Sequence, residues 1–300
     1  MPLHKIAVIG GDGIGPEVTR EACMMLSALQ DSLPELKLEF TEYEWGADYF
    51  LKTGRMMPED GLEQLKSFDA ILFGSVGSLE VPDHITLWGL RLEICQHFDQ
   101  YANVRPSRLL PGIQSPLKNI GPAELDWVIV RENTEGEYSG AGGRVHPKLP
   151  QEVGIDVSVF TRDGIERVMR FAFELALSRP KKQLTLVTKS NAQRHGMVLW
   201  DEVFEKLKHD YPGITTDRML VDAITTRMVL QPQSLDTIVA TNLHADILSD
   251  LAAALSGSLG IGPTANINPE KAFPSMFEPI HGSAFDLVGK DLANPLGAFW

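Results

Sequence analysis

Six short apolar, β-branched runs recur along this 300-residue chain, and stretches of helical period separate them: KIAVIG, LKLEFTEYEW, DAILFGSVG, DWVIVRE, QLTLVTKS and DTIVATN. The helical stretches include PEVTREACMMLSAL, DGIERVMRFAFELALS, MVLWDEVFEKLKH and ADILSDLAAAL. This alternation predicts an α/β architecture with mostly parallel strands, since parallel neighbours need a crossover and a helix supplies it. Length allows one large domain or two of moderate size. Two Pro- and Gly-rich stretches, Pro106 to Pro122 and Ser139 to Pro150, are expected as loops crossing between lobes.

Composition narrows the class. The apolar fraction of 43% and charged fraction of 22% are ordinary globular values. The opening MPLHKIAVIG has too short an apolar stretch for a signal peptide, and no run approaches membrane-spanning length. Cys23 and Cys95 form no framework and suit a reducing cytoplasm, so a cytoplasmic protein is expected. A formal net charge of −13 repels polyphosphate backbones, which argues against nucleic-acid binding. An anionic substrate then needs a local cluster of arginines.

GGDGIGPEV follows the first strand and opens a helix, with Pro16 at a first helical position and Glu17 beside the positive helix end. The dinucleotide fingerprint GxGxxG fails here. Counted from Gly11 its third glycine is Pro16, and counted from Gly13 it is Val18. A tight turn using glycine at positive φ is the simpler reading, and a dinucleotide would have to be held by other means.

Several constellations offer chemistry. In DILSD, Asp246 and Asp250 stand at i and i+4, so both carboxylates face one way and repel unless a cation neutralises them. Taken alone the pair is more simply read as an exposed, solvated surface feature. Asp222 ends another apolar run, where α/β proteins place site residues. Three carboxylates without His or Cys suit Mg²⁺ or Mn²⁺ and do not suit zinc. VRENTEGEYSG gathers Arg131, Glu132, Asn133, Glu135, Glu137 and Tyr138 after a strand, combining carboxylate recognition with a phenolic proton donor. Lys189 ends the strand LTLVT and is either a base of lowered pKa or a snorkelling lysine. Arg105 precedes Pro106, and Arg91 lies fourteen residues earlier. FEPIHGSAFDLVGKDLANP reads as a long loop in which His281 and Asp286 are the polar groups of interest.

Together GDGIGPEV, LFGSVG, ANVRP, RENTEGEYSG, TKSNA, Asp222, TNLHADILSDLAAALSGSLG, PTANI and EPIHGSA resemble, in sequence and in order, the metal-dependent β-decarboxylating dehydrogenases. That family includes isocitrate and isopropylmalate dehydrogenases. VPDHITLWG, FDQYANVRP and FTRDGIERVMRFAFELA look most like the branch with tartrate and D-malate dehydrogenases. The resemblance implies a two-domain isopropylmalate-dehydrogenase-like α/β fold with mixed, mostly parallel sheets, not a standard Rossmann domain. Residues 1–100 with 257–300 would form the cofactor lobe, and 101–256 the substrate, metal and dimerisation lobe.

By the same resemblance the cofactor is NAD, held largely by the loop from Glu278 to Asn294 through Glu278, His281, Gly282, Ser283, Ala284, Asp286 and Asn294. An acid at Asp286 accepts a ribose hydroxyl and repels a 2′-phosphate. Arg105 and Arg131 would grip the carboxylate that leaves as carbon dioxide. Asp246 and Asp250, with Asp222 of a partner subunit, would hold Mg²⁺ or Mn²⁺. Lys189, also from the partner, would deprotonate the substrate hydroxyl, and Tyr138 would protonate the enolate. Shared sites imply a homodimer acting on a small anionic (2R)-hydroxy-diacid such as D-malate or tartrate.

Three departures stand out. Family members usually carry an arginine ten residues before the arginine of RP, where this chain has Cys95. Arg91, one helical turn earlier, could restore that guanidinium as a substrate-binding group and would disfavour a branched alkyl substrate. Phe285 replaces a proline common in the adenine loop, and the chain stops at Trp300, short of typical members, so the cofactor lobe is expected to be truncated. The alternatives are isopropylmalate or isocitrate dehydrogenase activity, or a non-catalytic regulatory or binding subunit. A silent subunit has no need of Tyr138, Lys189, Asp222, Asp246 and Asp250 together.

Overall fold

The computed structural model describes Leu3–Trp300, so Met1 and Pro2 of the opening stretch lie outside the described residues. The chain divides into two compact units. One runs up to Arg105 and resumes at Ser258–Trp300; the other is Pro106–Gly257. The first crossing falls within the strand that carries ANVRP, a few residues after the boundary expected at 100/101.

The first unit contains β1 (Leu3–Gly11), α1 (Gly15–Ser32), β2 (Lys37–Tyr43), α2 (Ala47–Thr53), α3 (Gly61–Leu65), β3 (Ala70–Ser75) and α4 (Asp83–Thr86). A π-helical turn, Leu87–Leu92, then leads into α5 (Glu93–His97) and β4 (Ala102–Arg108). Its sheet has the order β2-β1-β3, then two strands from the chain's far end, β12 (Ser275–Pro279) and β11 (Pro263–Ile267), then β4. β2, β1, β3 and β12 are parallel, while β11 runs antiparallel to both β12 and β4. One face buries Ile9, Phe73, Leu90, Ile94, Cys95, Phe98 and Met276 in a single apolar cluster.

In the second unit come β5 (Asp126–Glu132), β6 (Gly136–Val145), β7 (Val153–Val159), α6 (Arg162–Ser178), β8 (Gln183–Thr188), α7 (Gly196–Leu207), β9 (Thr215–Leu220), α8 (Val221–Leu230), β10 (Thr237–Ala240) and α9 (Asn242–Leu255). The strands β5-β10-β8-β9 pair in parallel throughout. Strands covered on both faces read as continuous apolar runs, which is why WVIV and LTLV carry no alternation. Trp127, Ile129, Val187, Ile238 and Leu248 form the core here. Helix α9 turns Ala245, Leu248, Ala252 and Leu255 inward at helical spacing, and this leaves Asp246 and Asp250 on its other side.

Ser139 to Pro150 does not cross between units. It forms most of β6 and the turn that follows, part of an antiparallel ribbon with β7 inside the second unit. The glycines read as loop in the sequence serve this strand: Gly136 and Gly140 adopt φ of 75° and 73°, and a Cβ at Gly142 would stand 2.2 Å from the Ile155 carbonyl of β7. Among the described residues no helix is long and apolar enough to cross a membrane.

Candidate active site

In the second unit the polar groups gather where β5 ends and α9 begins. Arg131, at 2% exposure, is the penultimate residue of β5. Its Nε donates to Asn242 Oδ1 at 2.8 Å, and its Nη1 donates to Asp246. Asn242 and Asp246 stand at i and i+4 on α9, so one guanidinium engages two successive turns of the helix. The same guanidinium lies 5.4 Å from the centre of the Tyr138 ring, and the Tyr138 hydroxyl is 3.4 Å from Asp246 Oδ2. Carboxylate, guanidinium and phenol thus form one cluster.

The loop between β5 and β6 is built by its own glutamates. Glu132, 1% exposed, accepts bonds from the Thr134 amide (2.9 Å), the Thr134 hydroxyl (2.9 Å) and the Glu135 amide (3.0 Å). Glu135 accepts from the Thr161 amide and hydroxyl, at the cap of α6. Glu137 accepts from the Thr241 hydroxyl at 3.0 Å and the Leu243 amide at 3.2 Å, at the start of α9. A carboxylate there is favoured by the unpaired amides and the positive helix end. Since Tyr138 is the next residue, Glu137 ties the start of β6 to the start of α9 and fixes phenol against Asp246.

Burial pushes the Glu132 carboxyl up to about 7, against the three donors that favour its charged form. Its ordinary value is 4.5, so between these two pH values the folded state holds a proton that the unfolded chain has released. Stability from this group is complete below pH 4.5 and is lost as pH rises through 7, at about 1.4 kcal/mol per unit. Urea unfolding from pH 5 to 7 should therefore show wild-type stability falling more steeply than that of Glu132→Gln, by about that slope.

Lys189, just after β8, pairs with Asp222 in the first turn of α8 at 2.5 Å. The Lys189 hydrogen bond holds the Asp222 carboxyl below its usual range. Asp222 is thereby engaged away from Asp246 and Asp250, and no group of three His, Cys, Asp or Glu among the described residues gathers to hold a metal. The chain does supply two hard oxygen donors on one face of α9, half-exposed Asp246 and exposed Asp250, and this donor set fits Mg²⁺ or Mn²⁺. His244, buried on the same helix, has its pKa lowered mainly by burial, with Glu137 and Lys189 as its charged neighbours.

In the first unit the glycine turn packs on the loop after β12. The Ile14 amide donates to the Ser283 carbonyl at 3.0 Å. Gly13 has φ +59°, and a Cβ there would stand 2.0 Å from that same carbonyl. Gly11, φ +69°, meets the Ser75 carbonyl equally closely. These glycines are required by backbone packing among β1, β3 and the 281–284 loop. Buried Asp12 accepts from the Ala47 amide (2.7 Å) and the Gly77 amide (2.9 Å), locking the turn, while Glu17 accepts from the Gly289 amide at 2.7 Å. His281 Nδ1 lies 2.9 Å from the Gly282 carbonyl, and burial lowers the His281 pKa. Ala284 adopts φ +39°, and Asp286 and Asn294 are exposed, with Asn294 Oδ1 accepting from the Leu296 amide. An exposed Asp286 carboxylate beside a loop seated on the carboxyl ends of parallel strands fits the ribose side of NAD.

Arg91 projects from the π-helical turn and is 7% exposed. Its Nε lies 2.8 Å and its Nη2 2.6 Å from Glu278 Oε1 on β12. Cys95 lies in the apolar cluster of this unit, so the buried cation of the helix stands one turn earlier. Sequence reasoning missed Asn242, His244, Asn103 and Asn266. Only the i, i+4 spacing of Asn242 with Asp246 could have marked one of them.

These features define a two-unit α/β enzyme with a guanidinium, a phenol and paired acids at the carboxyl end of a parallel sheet. Residues 5–299 match the family model described as isocitrate/isopropylmalate dehydrogenase, and the chain belongs to that family. It is 65% identical over 300 residues to a probable tartrate dehydrogenase/decarboxylase of Agrobacterium vitis, covering all of this chain and 84% of the relative. It is 50% identical over 302 residues to a D-malate dehydrogenase (decarboxylating) of Escherichia coli, covering 83% of that protein. A solved isocitrate dehydrogenase from Methylococcus capsulatus superposes with a TM-score of 0.87 at 33% identity, over 99% of this chain and 83% of that one.

Proposed function

We propose that this protein is a cytoplasmic enzyme that oxidatively decarboxylates a small (2R)-hydroxy-diacid, D-malate or tartrate, using NAD and Mg²⁺ or Mn²⁺. The observation that carries the reading is the Arg131–Asp246–Tyr138 cluster, supported by relatives named for those two substrates. When bound, NAD would supply a hydride acceptor for C2 and a divalent cation would supply Lewis acidity at the substrate hydroxyl. Arg131 grips the carboxylate that departs as carbon dioxide, Arg105 and Arg91 supply further cations for the diacid, and Lys189 takes the hydroxyl proton. When the bond to the carboxylate breaks, its electrons form the enolate, and the Tyr138 hydroxyl delivers the proton that completes the product. Glu278, His281, Gly282, Ser283, Ala284, Asp286 and Asn294 bind NAD, and Asp222, Asp246 and Asp250 bind the cation.

A homodimer completes this reading. Val153, Ile155, Val157 and Val159 are each between 39% and 49% exposed on β7, at alternate positions that line one face of the ribbon. Leu243 and Ile247 on α9 are also exposed, beside the acids. A two-stranded ribbon has little stability alone, so a second copy covering these faces is its natural support. That copy brings Lys189 and Asp222 to the Asp246 and Asp250 of its partner. The test is NAD reduction with Mn²⁺ across D-malate, L-malate, the tartrates, isopropylmalate and isocitrate. Turnover of D-malate or a tartrate, abolished by chelation and restored by Mn²⁺, is expected; silence on both overturns the assignment.

A further inference from the structure

The first unit contains a buried polar chain that joins its two buried arginines, Arg91 and Arg105. Arg91 Nε contacts both Glu278 oxygens, at 2.8 and 3.1 Å, and Arg91 Nη2 donates to Asn266 Oδ1 at 3.2 Å. Asn266, with no exposed surface, also accepts at Oδ1 from Asn103 Nδ2 at 2.6 Å. Its own Nδ2 donates to Glu278 Oε1 at 2.8 Å and to the Met276 carbonyl at 3.4 Å. Asn103, equally buried, accepts at Oδ1 from Arg105 Nε at 2.9 Å. The path is therefore Arg91, Asn266, Asn103, Arg105, with Glu278 joined to its first two members.

Strand register explains why Asn266 sits at the junction. It lies on β11, paired across the sheet with Asn103 on β4 and with Met276 on β12. Its amide orientation is dictated by its partners, because Oδ1 faces two donors and Nδ2 faces two acceptors. No other side chain of this size matches that pattern. Aspartate would add a second buried negative charge beside Glu278 and could not donate, and leucine would take one hydrogen-bond partner from each of the two donors and two acceptors around it. On the Glu278 carboxyl, burial acts upward, but the Arg91 charge and the bonds from Arg91 and Asn266 outweigh it, so the carboxylate stays ionised and compensates Arg91.

We propose that Asn266 is a specificity-determining positioning residue, which fixes the separation and orientation of the Arg91 and Arg105 guanidiniums so that they match the carboxylates of a short diacid. This rests on the reading that those arginines receive the substrate. It goes beyond that reading in assigning the spacing to an amide that touches neither substrate nor cofactor. Arginine forks recognise carboxylates through fixed planar geometry, so loss of orientation weakens binding even though the charge remains.

The test is calorimetric titration of D-malate, and separately of NAD, into the full-length protein in Mn²⁺, for wild type, Asn266→Ala, Asn103→Ala and the double variant. Asn266→Ala is expected to weaken D-malate by about 10- to 100-fold, the scale of two lost charge-linked hydrogen bonds, and NAD by less than about threefold. Asn103→Ala breaks the same chain from the Arg105 end and should weaken D-malate in the same direction. The double variant should be little weaker than Asn266→Ala, since both changes cut one chain. Should Asn266→Ala fail to fold, the Asn103→Ala result decides, with the same expectation for D-malate and NAD. The proposal is overturned if folded variants bind D-malate within about threefold of wild type, or if the two single losses simply add. Wild-type protein that binds neither D-malate nor a tartrate overturns the functional reading as well, which distinguishes the two failures.

Discussion

Asp246→Asn should lower kcat/KM for D-malate or tartrate by about a thousandfold or more while leaving the fold intact. Asparagine keeps the volume of aspartate and one oxygen acceptor, but removes the charge that Arg131 Nη1 and the Tyr138 hydroxyl share. It also removes one of the two hard oxygen donors on α9. On the proposed mechanism three functions fail together: the compensation of a guanidinium that is 2% exposed, the orientation of Tyr138 as proton donor, and the hold on the cation. The Asp246 side chain is 37% exposed, and Arg131 retains its bond to Asn242, so the thermal midpoint should move little. Steady-state rates with Mn²⁺, Mn²⁺ affinity by calorimetry, and a melting curve check the three parts separately. Activity within tenfold of wild type would remove Asp246 from the centre of the mechanism.

A second large effect is expected from mixing two inactive variants. Asp246→Asn and Lys189→Ala should each be nearly silent alone, because each removes a different half of the site. If Lys189 and Asp222 serve the partner, a mixed dimer restores one complete site, in which intact Asp246 of one chain meets intact Lys189 of the other. Random reassortment at equal amounts makes half the dimers mixed, each with one of two sites working, so activity should return to about a quarter of wild type. If both groups act within one chain, every site in every dimer stays defective and nothing returns. Within one chain Lys189 is paired with Asp222, and Asp222 does not join Asp246 and Asp250, the arrangement expected of donors that serve another copy. Co-expression with two affinity tags, followed by assay of the doubly selected dimer, measures the outcome directly, and because every selected dimer is mixed it should show about half of wild-type activity per protomer.

Much of this was written along the chain. Alternating apolar runs and helical periods announce a parallel α/β protein, because burial on both faces of a strand and one face of a helix are periodic in sequence. Asp246 and Asp250 share a side of α9 because helical spacing places them opposite Ala245, Leu248 and Ala252. The failure of the dinucleotide fingerprint was equally legible. Gly13 is required by a carbonyl 2.0 Å from where its Cβ would stand, and that carbonyl belongs to Ser283, some 270 residues away in the chain.

Distance along the chain is also where sequence reading stopped. The ribbon of β6 and β7 was invisible because its glycines and prolines read as loop, and its exposure asks nothing of propensity. Asn103 and Asn266 carry no local signal at all. Buried asparagines look like any loop polar residue until antiparallel register sets one opposite the other and Arg91 and Glu278 close around them. The sequence by itself determined the family, the element order and the residue types that do chemistry. Which carboxylate neutralises which guanidinium was decided by the tertiary structure alone, because hydrogen bonds depend on separations of about 3 Å that no spacing along the chain encodes.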